Sequence, residues 1–155
     1  MNEIWQIENI PNSDKLYFRI HDSNIFDSKD LKNIIRPRAF YNTPATGNNM
    51  STDWEKYSTP ELTLDFVSKQ YKTGTTLFKD KTKFSVVSFS VNQVKSIDNN
   101  HSVKHDPVQY KLEILGNPNN RAHSIVDGKI SDDKEDAVEV RARFIEMAKW
   151  EILQK

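Results

Sequence analysis

The chain has 155 residues, with 22 basic side chains, 22 acidic ones and no cysteine. That length fits one domain with a real core, and a formal net charge of zero argues against a dedicated nucleic-acid binder with a strongly basic surface. Without cysteine, disulfides, thiol catalysis and cysteine-ligated metal centres are excluded.

Ile4-Trp5-Gln6-Ile7 reads as a short edge strand or as part of an N-terminal arm over 1–14. Lys15 to His21 alternates Leu16, Phe18 and Ile20 with Tyr17, Arg19 and His21, the signature of a half-buried strand. Period-2 geometry puts the phenol, the guanidinium and the imidazole in one row. Asp27 or Ser28 then caps a short expected helix through Ile35, ended by Pro37. Residues 41–53 are rich in turn formers and read as a polar loop.

Ser58 and Glu61 have capping-box spacing around Pro60, which starts an expected helix over 60–71 with Leu62, Phe66 and Val67 as its apolar stripe. Phe84 to Val91 is the strongest strand pattern in the chain. Val103–Val108 and Tyr110–Leu115 are weaker strand candidates, 116–120 is a turn cluster and Ala122–Val126 a short strand. A long C-terminal helix is expected over 132–153. Ala137, Val140, Phe144, Met147 and Ala148 keep its helical period, and Asp132, Asp133, Glu135 and Asp136 suit its positive N-terminus. Mixed order without repeated βαβ units predicts an α+β fold: one domain over 1–155, a mostly antiparallel central sheet, flanking helices and a long C-terminal helix. No apolar run reaches the ~18 residues of a membrane helix and no signal-peptide core opens the chain, so the expectation is a soluble cytoplasmic protein without membrane contact.

Four polar clusters are candidates for chemistry. Arg19 and His21 offer a planar cationic fork and a titratable ring on one strand face. Ser51, Thr52 and Asp53 follow a Gly/Asn loop and suit a hydroxyl-rich or phosphorylated ligand; equally, Ser51 or Asp53 caps a turn. Arg121 and His123 repeat the two-residue spacing of Arg19 and His21. His101 and His105 stand four apart, but Pro107 disfavours the helix that would make them a metal pair, so no metal site is expected. No P-loop, Gly-rich dinucleotide loop, HExxH or Gly-x-Ser-x-Gly is present, and these residues leave any cofactor unknown. The basic stretch from Lys69 to Lys95 reads as solvated surface or a docking face.

The strings Leu16-Tyr17-Phe18-Arg19-Ile20-His21, Arg38-Ala39-Phe40, Ser51-Thr52-Asp53-Trp54, Ser58-Thr59-Pro60-Glu61, Val86 to Val94, His105-Asp106-Pro107 and Asn120-Arg121-Ala122-His123-Ser124 resemble a loose set of small bacterial proteins. The pattern of that set is a Leu-Tyr-Arg-Arg-Ile-type strand, a Phe, a Leu-Ser-x-Asp segment, a Thr-Pro helix start, a valine-rich strand, an Asp-Pro and a late Asn-x-Ala-His. The resemblance covers most of 16–126 and implies Arg19, Ser51, Asp53 and His123 as a shared site. Phe18 stands where the set has the first of two arginines, and Met50 where it has Leu. A weaker resemblance is to ADP-ribosyltransferase-like folds, including RES-type toxins and RNA 2′-phosphotransferases. It implies pyrophosphate at Arg19 or His21 and ribose at Ser51-Thr52; no catalytic Glu or second Arg of that pattern is identified.

These readings converge on a small bacterial or phage module, of the kind found in conflict or defence gene clusters, that recognises a nucleotide-like or other anionic ligand or a protein partner. The alternatives are an ADP-ribosyltransferase- or phosphotransferase-like enzyme and a pure interaction scaffold. The candidate ligand residues are Arg19, His21, Ser51, Thr52, Asp53, Arg121 and His123.

Overall fold

Strand β1, Lys15–His21, is the segment around which the other elements are arranged. The computed structural model describes residues 3–40, 49–128 and 134–154. Within them lie β2 (Ile25–Phe26), β3 (Ile34–Ile35), β4 (Asn49–Trp54), helix α1 (Pro60–Val67), β5 (Phe84–Ser90), α2 (Val91–Lys95), β6 (Ser102–His105), β7 (His123–Asp127), α3 (Lys134–Met147) and β8 (Lys149–Ile152). Six strands form one antiparallel sheet in the order β6-β7-β4-β1-β5-β8, and β2 pairs with β3 in a separate hairpin. The expected α+β architecture with a mainly antiparallel sheet is the one observed.

The sheet is covered on both faces. Leu16, Phe18 and Ile20 join Met50, Trp54, Val87, Phe89 and Val126 in the larger core. Phe40 stacks on Phe18 and on Phe144 of α3, with ring centroids 5.4 and 5.2 Å apart. Tyr17, Val86 and Leu64 of α1 form a smaller core on the opposite face. Tyr17 is therefore buried, and β1 is not the half-buried strand its alternation predicts. Among the described residues, no helix is long and apolar enough to cross a membrane.

Several expectations are corrected. Over 27–35 there is no helix. Asp27 accepts a hydrogen bond from the Asn33 N–H at 2.8 Å, and the Ser28 N–H donates to the Leu31 carbonyl at 2.8 Å. Asn33 takes a left-handed φ of 56°, so side chain-to-backbone bonds close the β2–β3 hairpin in place of a helical turn. In the expected 41–53 loop, residues 41–48 lie outside the described residues. Residues 49–54 are instead β4, an interior strand whose Met50, Thr52 and Trp54 are all buried on one face. Helix α1 stops at Val67 and is capped by Thr59, whose hydroxyl accepts from the Leu62 N–H, rather than by Ser58. Its buried positions are Thr63, Leu64 and Val67, while Leu62 is exposed.

The strong strand ends one residue early, because Ser90 and Gln93 make the capping box of α2. Of the expected strands, Val103–Val108 is realised as β6 and Ala122–Val126 as β7. Tyr110–Leu115 is not a strand; Ile114 makes only an isolated bridge to Asn117. The Ile4–Ile7 segment belongs to an arm without strand pairing. The C-terminal helix ends at Met147, six residues short of its expected limit; its expected start at 132 lies outside the described residues. The chain then returns as β8 along β5, where Ser88 donates to Glu151 at 2.8 Å. A bulge at Val86/Val87 lets Trp150 pack on the larger core and Ile152 on the smaller one.

Candidate functional site

Arg19 and Asp53 are brought together by strand register. Tyr17 pairs with Asp53, and Asp53 with His123, so these three side chains share one sheet face. Two residues on from that row, along β1 and β4, stand Arg19 and Ser51 on the same face. The Arg19 guanidinium donates to Asp53 Oδ2 at 2.5 Å and, through Nε, to the Thr63 carbonyl of α1 at 2.7 Å. Asn120 donates to the other Asp53 oxygen at 2.9 Å. Phe66 lies under the guanidinium, 5.1 Å from its ring centroid. Burial pulls the Arg19 pKa below its ordinary value, and the Asp53 carboxylate opposes that pull.

Beside this pair, His123 is fixed by both ring nitrogens. Nδ1 lies 2.7 Å from the Asp106 carbonyl and 3.3 Å from an Asp106 carboxylate oxygen. Both are acceptors, so Nδ1 carries a proton. Nε2 lies 3.2 Å from Ser51 Oγ. The backbone locks the arrangement, since the Asp106 N–H donates to the His123 carbonyl at 2.9 Å. Ser51 itself is exposed.

Arg19, Ser51 and His123 line one polar cavity of about 170 Å³, with Gln70, Asn117 and Asn120 among its other walls. Asp53 sits behind Arg19 and Asn120. Four of the candidate residues thus lie around one place, and three do not join them. Thr52 points to the other sheet face, where its hydroxyl donates to the Ser124 carbonyl. Arg121 turns the opposite way from His123 and lies against Tyr57 and Trp5, at 4.4 and 5.9 Å from their ring centroids. A turn precedes β7 at Arg121, so the two-residue spacing there does not keep one strand face.

His21 belongs to a second cavity on the same face, of about 300 Å³, lined also by Lys72, Thr73, Lys79, Asp80, Lys83 and Phe84. The two cavities flank one backbone rung, because the Lys79 N–H donates to the Gln70 carbonyl at 2.9 Å. Burial, and then the Arg19 charge, lower the Lys79 pKa. Lys79 is therefore a cavity residue within reach of Arg19 and not part of a diffuse basic surface.

Asp106, Asn120 and Lys79 are the residues that sequence reasoning did not single out. Asp106-Pro107 stands in the His101–Pro107 cluster and Asn120 in the 116–120 turn cluster, both also in the resemblance, and Lys79 is one lysine among six in its stretch; none of the three is assigned a role from sequence. No group of three or more potential metal ligands occurs among the described residues. No protein-family model, curated protein or solved structure matches the chain.

Proposed function

We propose that this protein is a recognition module for a small anionic, phosphate-bearing ligand, held in the lysine-lined cavity beside Arg19. The observation that carries this reading is the charge of that cavity. Lys72, Lys79 and Lys83 line it against a single carboxylate, Asp80, and none of the three lysines makes an ion pair among the described residues. Lys79 is half-buried and repelled by the Arg19 charge, and an anion placed beside it, within reach of the exposed Lys72 and Lys83, relieves that repulsion. His21 and Phe84, edge to face at 5.1 Å, add an aromatic wall on which a planar group can rest.

The test is a thermal-shift titration of the full chain with pyrophosphate, ADP-ribose and NAD. Binding to the folded state raises the melting temperature by mass action, and the effect weakens with salt. Lys79→Ala removes the shift, whereas Lys69→Ala, an exposed lysine outside the cavity, leaves it intact. Equal loss from both variants means diffuse electrostatics. No shift with any of the three anions defeats the reading.

One observation favours a second reading, a protein-interaction module. Leu77, Leu112 and Leu115 are 64%, 77% and 75% exposed on loops joined by the Gln70–Gly116 bridge. Retention of a specific partner, lost in Leu112→Asp, is the result that supports it.

A further inference from the structure

The polar cavity holds a Ser–His–Asp relay that the anion reading does not use. Ser51 Oγ is 3.2 Å from His123 Nε2, and His123 Nδ1 donates to the Asp106 main-chain carbonyl at 2.7 Å, with an Asp106 carboxylate oxygen 3.3 Å away but outside hydrogen-bond geometry. Protonation of Nδ1 leaves the lone pair of neutral imidazole on Nε2, facing the serine hydroxyl. That tautomer is the one a serine nucleophile needs from its base, with the Asp106 main-chain carbonyl orienting the ring and the Asp106 carboxylate close enough to favour its protonated form.

Three further features fit a reacting site. Ser51 is exposed, so its oxygen is reachable, while His123 is held to 19% side-chain exposure. Ser51 stands on β4 and not on a pliable loop, paired with Ile125 of β7, so its position is fixed by the sheet. The cavity they share presents Gln70 and Asn117, whose side-chain amides have no hydrogen-bond partner among the described residues, and the Arg19 guanidinium. These are the donor types that stabilise a developing oxyanion.

We propose that Ser51 is the nucleophile of an esterase site acting on short-chain carboxylic esters, with His123 as general base and Asp106 as the residue that positions it. A cavity of about 170 Å³ has room for a short acyl group. In the first half-reaction Ser51 Oγ bonds the acyl carbon as its proton passes to His123 Nε2, and the carbonyl oxygen becomes an alkoxide. Collapse of that intermediate breaks the ester C–O bond, and the leaving alcohol takes the proton from Nε2. Water then gives a proton to Nε2 and attacks the acyl-serine. Ser51 leaves with that proton, and the acid ionises. The sum is ester plus water giving carboxylate, alcohol and a proton. This proposal uses the cavity next to the lysines and stands whether or not an anion binds there.

The experiment uses the full chain with p-nitrophenyl acetate. Expected are a burst of p-nitrophenolate stoichiometric with protein and one acetyl group on the peptide that contains Ser51. Ser51→Ala should fall to the uncatalysed rate with its melting temperature retained. His123→Gln should lose on the order of 10²–10⁴-fold, the range of a general base. Asp106→Asn keeps the carbonyl contact and should lower kcat with KM unchanged, which a purely structural role would not do. Acetyl groups spread over surface lysines, or a Ser51→Ala rate equal to that of the parent chain, would overturn the assignment. So would a folded parent chain that releases no p-nitrophenolate above background.

Discussion

Arg19 and Asp53 meet at 2.5 Å on a sheet face closed over by α1, with side-chain exposures of only 16% and 2%. The pair ties three elements together, because Arg19 also holds the Thr63 carbonyl of α1 and Asp53 also accepts from Asn120. A buried pair of this kind adds little over an apolar replacement, but removing one member leaves the other charged and desolvated.

Arg19→Ala should therefore cost roughly 3–5 kcal/mol, and Arg19→Ala/Asp53→Ala together should cost less than the sum of the single changes. Arg19→Lys should recover little of the loss, since an ammonium lacks the planar fork that serves Thr63 and Asp53 at once. Urea denaturation of the four variants checks this; strict additivity would show that the contact is energetically idle.

Phe144 anchors α3. It is fully buried, stacks on Phe40 and meets the edge of Phe89 at 5.8 Å. Phe144→Ala should cost ~3–5 kcal/mol and lower the melting temperature of the whole chain. An unchanged melting temperature would mean that α3 docks without contributing to stability.

Gly116 lies next to two walls of the polar cavity, bridged to Gln70 and followed by Asn117. Its φ is +87°, and a Cβ there would lie 2.1 Å from Tyr71 Cδ2, with the ring face behind it. Gly116→Ala should cost roughly 1–3 kcal/mol of local strain and push the Tyr71 ring away. Hydrogen exchange at the Tyr71 N–H, which donates to the Gly116 carbonyl at 3.1 Å, should then speed up while β1 and β5 stay protected.

The N-terminal arm should detach in acid. Hydrogen bonds from Lys56 and from Tyr57 hold the Glu8 carboxyl below its ordinary pKa of 4.5. A carboxyl whose pKa falls on folding releases its proton more readily in the folded chain. Its contribution is complete above the ordinary value and is lost as pH falls through the folded one. Trp5, whose backbone N–H donates to the Gln109 side-chain carbonyl, should report the release by fluorescence below about pH 4.5 while the sheet remains folded. Glu8→Gln should remove the Glu8 share of that signal and leave the share carried by the Glu8 N–H bond to His105 Nδ1 at 3.0 Å.

Local pattern was enough for the elements whose sides differ. Lys15–His21 and Phe84–Ser90 announce themselves as strands because their alternation or β-branched runs are a property of the segment alone. The period of Val140 and Phe144 likewise announces α3. The same pattern cannot say what covers the polar side of a strand, so Tyr17 reads as half-exposed although Leu64 of α1 lies against it. It also cannot see β8. Trp150 and Ile152 carry a strand only because β5 presents an unpaired edge there, and buried backbone groups must find partners.

The candidate site divides along the same line. The chain order offers Ser51, Asp53, Asp106 and His123 as separate polar residues, each suited to a turn or a cap. Only antiparallel register, Tyr17 to Asp53 to His123, puts them on one face; the backbone lock between Asp106 and His123 then turns the imidazole toward Ser51. Register depends on which strands become neighbours, a choice made by burying Leu16, Trp54 and Val126 in one core. Arg121 and Thr52 show the converse. Adjacent in sequence to site residues, they point elsewhere, because one step along a strand reverses the side chain and the turn before β7 breaks the period.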